Sequence, residues 1–174
     1  MSPSLPALRS LLQHGPPCFD GLLRGLPAEW TDANEGPGTW SAFDVIGHLI
    51  HGEETDWIPR ARIVLEHGEA RAFEPYDRFA QERDTRDRTI DERLDRFAAL
   101  RGENLRALDA LALSPSDLAR TGTHPELGRV TLGELLTTWA VHDATHLGQV
   151  ARVLARHAGD GVGPWRAYLP ILGG

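Results

Sequence analysis

Two histidines one helical turn apart on an apolar stripe are the residues of this chain best suited to chemistry. His142 and His146 lie within TLGELLTTWAVHDATHLGQVARVLARH, residues 131–157. Leu132, Leu135, Leu136, Trp139, Val150, Val153 and Leu154 recur there at three- and four-residue steps. That period predicts one long amphipathic helix. The two imidazoles fall where it calls for Leu or Val. Four residues is about one turn, so both rings project from one face. This is the spacing at which two ligands on a helix reach one metal ion. An imidazole buried without partners costs on the order of 2 kcal/mol or more. Two readings stand for the pair: hydrogen-bonded core histidines, or ligands that need a third.

His48 is the candidate third donor, on the inward side of a second predicted helix. Alone it reads as a core histidine bonded to a carbonyl or a buried water; with His142 and His146 it reads as a ligand. Three imidazoles leave at least one position open, the pattern of a catalytic site rather than a closed structural one. Zinc or nickel suits imidazole, and iron is a further option. Such an ion can hold a thiolate, giving attack on an electrophile. It can also lower the pKa of a bound water to about 7, giving hydrolysis.

Around these three, spacing offers supporting groups. Asp143 and Gln149 flank the helical pair. Asp143 points about 100° away from His142, so it either backs a ligand or pairs with an Arg on another helix. Glu53 is a candidate base facing the site, or part of a solvated face with Glu54 and Asp56. His51 is a candidate proton shuttle, or a partly exposed surface residue. Trp57 and Trp139 read as core. Cys18 reads as a small buried hydrophobe.

The elements that must position these groups are helices. Leu5 to Leu26 has helical spacing interrupted by Gly15-Pro16-Pro17, which predicts a kinked helix or two short ones. Residues 27–39 read as a loop. Ser41 with Asp44, Thr89 with Glu92 and Thr131 with Glu134 have capping-box spacing and open the second, third and fourth helices. The second runs from Ala42 to His67, kinked at Pro59 and stopped by Gly68. Residues 68–88 form a long connection, able to carry the chain to the far end of a bundle, and its aromatics pack there or cover a pocket mouth. Residues 114–130 are a second connection, and no strand alternation stands out. The tail, with Trp165, Tyr168, Leu169 and Ile171, can dock on the bundle or on a second subunit. Four helices with one long crossover predict an all-α four-helix bundle in a single domain, residues 1–174.

Composition sets the outer limits. The net charge is −7 with no Lys, and no clustered Arg face appears, so nucleic acid is not the expected partner. No run of 18 apolar residues suits a membrane span. The N-terminal residues lack a signal-peptide pattern. The single cysteine cannot form an internal disulfide, and the expected setting is a reducing cytoplasm.

The pattern TW-S-x6-HL in the second helix, with HDATHLGQ in the fourth, resembles the DinB/YfiT-like superfamily. The likeness extends to EGPGTWS, FEPYDRFAQ and GPWRAYL and covers nearly the whole chain. It implies an up-down-down-up bundle with a three-histidine metal site at its end or side. Carried onto this chain, the ligands are His48, His142 and His146. The resemblance also implies a homodimer, and transfer of a low-molecular-weight thiol to a small electrophilic substrate.

Overall fold

Residues 4–80 and 88–173 are described by the computed structural model. Three of the helices start where a side chain satisfies backbone N–H groups that have no partner within the helix. Ser41 and Asp44 cap each other reciprocally at the start of α3 (Ala42–Thr55). Thr89 and Glu92 do so at α5 (Ile90–Ala110), and Thr131 and Glu134 at α6 (Leu132–His157). The other long elements are α1 (Leu5–Leu23) and α4 (Trp57–His67), with a one-turn α2 (Ala28–Thr31) in the stretch expected to be loop.

The two proline sites behave differently, and the reason is the fate of the carbonyl four residues back. Pro59 cannot donate to Thr55, and the second helix breaks there, at Asp56 (φ −106°, ψ −69°) between α3 and α4. Pro16 cannot donate to Leu12, yet α1 runs unbroken, so the expected interruption does not occur. Arg101 explains it: its Nη1 donates to the Leu12 carbonyl at 2.8 Å, replacing the missing backbone bond.

α1 and α3 each pack on both α5 and α6. Cross-helix bonds give the directions. Arg9 meets Asp109 and Arg24 meets Asp95, so α1 and α5 are antiparallel. Arg93 reaches Phe43 while Arg101 reaches Glu53, so α3 and α5 run parallel. His48 faces the His142–His146 turn while Glu53 meets Trp139, so α6 is antiparallel to α3. The order is up-down-down-up. Parallel neighbours need a full-length return, which is the work of the crossover after α4. Gln81 and the charged run after it lie outside the described residues.

One expectation fails in the second connection. Residues 121–131 form a hairpin, β1 (Thr121–His124) with β2 (Gly128–Thr131), in register Thr121↔Thr131 to His124↔Gly128. Four-residue strands are too short to show alternation in sequence. The hairpin seats the crossover: Phe73 N–H donates to the Thr123 carbonyl at 2.9 Å. A Cβ on Gly122 would stand 2.8 Å from Val64 and 3.1 Å from the Phe73 ring, so only glycine lets the strand approach this closely.

The core is two apolar clusters. One holds Leu8, Leu12, Trp57, Leu105, Leu136 and Trp139; the other holds Phe19, Ile46, Leu94, Phe97, Val150 and Leu154. A polar level separates them, with Glu53 on α3, Arg101 on α5 and Asp143 between the histidines of α6, and Gly15 of α1 lies against it. Cys18 is exposed, not buried as its residue type suggests. Among the described residues of the tail, only Gly159 and Leu172 are buried, while Trp165 and Tyr168 stay largely in solvent.

Candidate metal centre

His48 from α3 meets His142 and His146 from α6 at the polar level. His142 Nε2 lies 3.1 Å from His48 Nε2 and 3.1 Å from His146 Nε2. All three donor atoms fall within 4.8 Å of one another. Hydrogen bonding cannot account for this convergence. His146 Nδ1 is 2.8 Å from Gln149 Oε1, an acceptor only, so the proton sits on Nδ1 and Nε2 carries a lone pair. Tyr76 Oη lies 3.1 Å from His48 Nδ1 and 3.3 Å from the His48 carbonyl. Whichever tautomer His48 takes, at most one of the two 3.1 Å contacts of His142 Nε2 is a hydrogen bond. The buried His142 Nδ1 has no partner among the described residues. Two or more lone pairs aimed at one point are what a cation requires. Nitrogens held at about 2.1 Å around a tetrahedral ion stand about 3.4 Å apart, close to the separations seen.

The electrostatics agree. Burial, reinforced by the neighbouring imidazoles, pushes His48 and His142 down to about 3, and burial lowers His146 as well. All three are neutral near pH 7, the form that binds metal. Trp40 packs against His48 and His146, with ring centroids 4.7 and 6.2 Å away, and Trp57 meets His142 edge-on at 5.3 Å. The rings open onto a cavity of about 420 Å³, the size that takes a small ligand.

Behind the histidines stands a buried ion cluster. Arg101 Nη1 meets Asp143 Oδ2 at 2.5 Å, and its Nη2 reaches Asp143 Oδ1 at 2.9 Å and Glu53 Oε1 at 2.7 Å. Burial opposes the Arg101 charge, but the two carboxylates outweigh it and raise its pKa further. Burial raises the Asp143 carboxyl, against the pull of Arg101.

Glu53, the candidate base, belongs to this cluster and not to the cavity wall. Its carboxylate is fully engaged by Arg101, by Trp139 Nε1 at 2.9 Å and by Asn104 Nδ2 at 2.9 Å, and it does not line the cavity. His51 is half-buried and does not line the cavity, its ring 5.1 Å from Tyr76 at the side of the His48 face. Asp143 takes the second of its two expected roles, pairing with an Arg across the bundle. Gln149 backs His146. Sequence reasoning missed Tyr76, although FEPYDRF had marked the crossover as a possible cover for a pocket. It also missed Trp40, Arg60, Arg101 and the cavity position of His124.

Fold and site together define a four-helix bundle with a three-histidine centre between antiparallel helices. The chain belongs to the DinB superfamily, whose family model matches residues 12–150. It is also similar to the solved structure of YfiT from Bacillus subtilis, described as a probable metal-dependent hydrolase with an unusual four-helix bundle topology. That match has a TM-score of 0.76 and 22% identity, over 91% of each chain. At that identity the likeness establishes the fold. No curated protein matches the chain. Among the described residues, no helix is long and apolar enough to cross a membrane.

Proposed function

We propose that this chain is a metal-dependent enzyme acting on a small molecule, with a divalent ion held by His48, His142 and His146. The observation that carries it is the set of Nε2 atoms that converge with too few protons to bond one another. Zinc or nickel suits three neutral imidazoles, with iron as a further option. When bound, the ion supplies Lewis acidity and favours the deprotonated form of a water or thiol beside it.

The protein's own residues do the rest. Tyr76 and Gln149 orient the rings of His48 and His146. Trp40 and Trp57 cover the rings and limit water. Cys18 is exposed on α1 away from the cavity, so the chain offers no thiol of its own. The nucleophile comes from outside: a low-molecular-weight thiol in the transferase reading, water in the hydrolase reading. The description of YfiT supports the second; the open cavity beside the histidines leaves room for the first.

The protomer works as one domain in the cytoplasm and pairs as a homodimer, which size-exclusion chromatography with light scattering reads directly. Elemental analysis of protein purified without a histidine tag tests the centre. About one divalent ion per chain is expected, lost in His146→Ala. Metal-free protein whose melting temperature ignores added Zn²⁺ and Ni²⁺ would refute the centre. Turnover of a chlorodinitrobenzene-type electrophile only with added thiol supports transfer, whereas ester turnover without thiol supports hydrolysis.

A further inference from the structure

The cavity does not end at the histidines. It follows α3 from His48 past Gly52 to Asp56, and α6 from His142 back to Glu134. Eight residues of helix rise about 12 Å, so its far end lies roughly 10 Å from the three rings. Arg60 and His124 line that end.

Arg60 is only 7% exposed. Its Nε faces Asp56, its Nη2 donates to the Glu74 carbonyl at 3.2 Å, and its guanidinium lies over Phe73. Its Nη1 has no acceptor among the described residues. His124 Nδ1 accepts the backbone N–H groups of Glu126 and Leu127 at 3.1 and 3.2 Å, so the ring proton is on Nε2. That N–H also lacks an acceptor among the described residues. Three acidic groups share the wall: Asp56 faces Arg60 with its buried Oδ1 not hydrogen-bonded, Glu126 stands 3.9 Å from Arg78, and one Glu134 oxygen is held by the Thr131 cap. The far wall thus offers two N–H donors that face the cavity without a protein acceptor among the described residues. A planar oxyanion matches a guanidinium edge best.

We propose that this end of the cavity receives a carboxylate of the substrate, held by Arg60 and His124 about 10 Å from the atom that reacts at the histidines. The proposal rests on the metal-centre reading, and its test separates the two.

The probes are thiols that absorb on binding Ni²⁺: mercaptoacetate, a mercapto-octanoate with a terminal thiol, and the carboxamide of each. Nickel-loaded protein is titrated and the thiolate charge-transfer band gives each Kd. The long acid is expected to bind about tenfold tighter than its amide, and the short acid no tighter than its own amide because it cannot reach. Arg60→Gln should keep the band and erase the long-chain preference. His124→Phe should narrow it, and serves alone if Arg60→Gln does not fold. Equal binding of long acid and long amide overturns the proposal, as does nickel uptake with no thiol band. Failure to take up nickel at all overturns the metal centre, and this subsite with it.

Discussion

Adding one methyl group to α1 should disturb the metal centre from across the bundle. A Cβ on Gly15 would stand 2.3 Å from Asp143 Oδ2 and 3.1 Å from Arg101 Nη1. An ordinary carbon–oxygen contact is about 3.4 Å, so something must move by about 1 Å. Neither neighbour is a loose side-chain end, because Asp143 and Arg101 are buried and bonded to each other and to Glu53. Overpacking of this kind costs about 1–3 kcal/mol. Against it, Gly→Ala in a helix contributes about 0.5–1 kcal/mol. The net expectation for Gly15→Ala is a loss of about 1–2 kcal/mol, a fall in Tm of about 2–8 °C for a chain this long. Gly21→Ala on the same helix is the control, since nothing lies within 4 Å of its added Cβ. It should leave Tm unchanged or raise it. Thermal and urea denaturation of both variants, with and without Zn²⁺, is the assay. Asp143 follows His142 in sequence, so Gly15→Ala should also weaken zinc binding, whereas Gly21→Ala should not. A Gly15→Ala protein as stable as the control would refute the idea that α1 is seated by this contact.

Other outcomes follow from the same geometry. Tyr76→Phe removes the hydroxyl beside His48 Nδ1, and metal affinity should fall about tenfold in competition with a chelator, with little change in melting of the metal-free protein. Arg101→Met leaves Glu53 and Asp143 buried without their cation, and should cost about 3–5 kcal/mol in urea unfolding; a loss below 1 kcal/mol would contradict the cluster's structural role. Metal-free protein should lose stability as pH falls from about 6.5 toward 3, because the unfolded chain protonates His48 and His142 first while their folded values lie near 3. Asp56, raised to about 6 by burial, acts oppositely: its folded form gains the proton first as pH falls from about 6 to 4. The histidines outnumber it, so urea midpoints should still be lower at pH 5 than at pH 7.

How much of this was legible in the sequence depends on how far apart the interacting residues lie. The three capping boxes are contacts between residues three apart, and sequence spacing alone located all of them. The His142–His146 turn and the apolar stripe around it are equally local. His48 is 94 residues from His142, and only its place on an inward helical face pointed to it. The buried cluster around Glu53 was not legible because its partners, Arg101 and Trp139, are 48 and 86 residues away. The continuity of α1 through Pro16 was unreadable for the same reason. Tyr76 sits in an irregular segment, where no period says which way a side chain faces. The hairpin hid because four-residue strands are shorter than the window in which alternation shows.

Arg101 has two tasks that would ordinarily belong to different residues. Its Nη1 completes the hydrogen-bond ladder of the first helix and also meets Asp143, while Nε and Nη2 clamp the carboxylates behind the histidines. Folding and ligand placement are therefore tied to a single side chain. A change that weakens it should disturb the architecture and the histidine level together. Anyone redesigning the chain to accept a new substrate is safer working at the cavity mouth, since changes at the midsection alter shape and reactivity together.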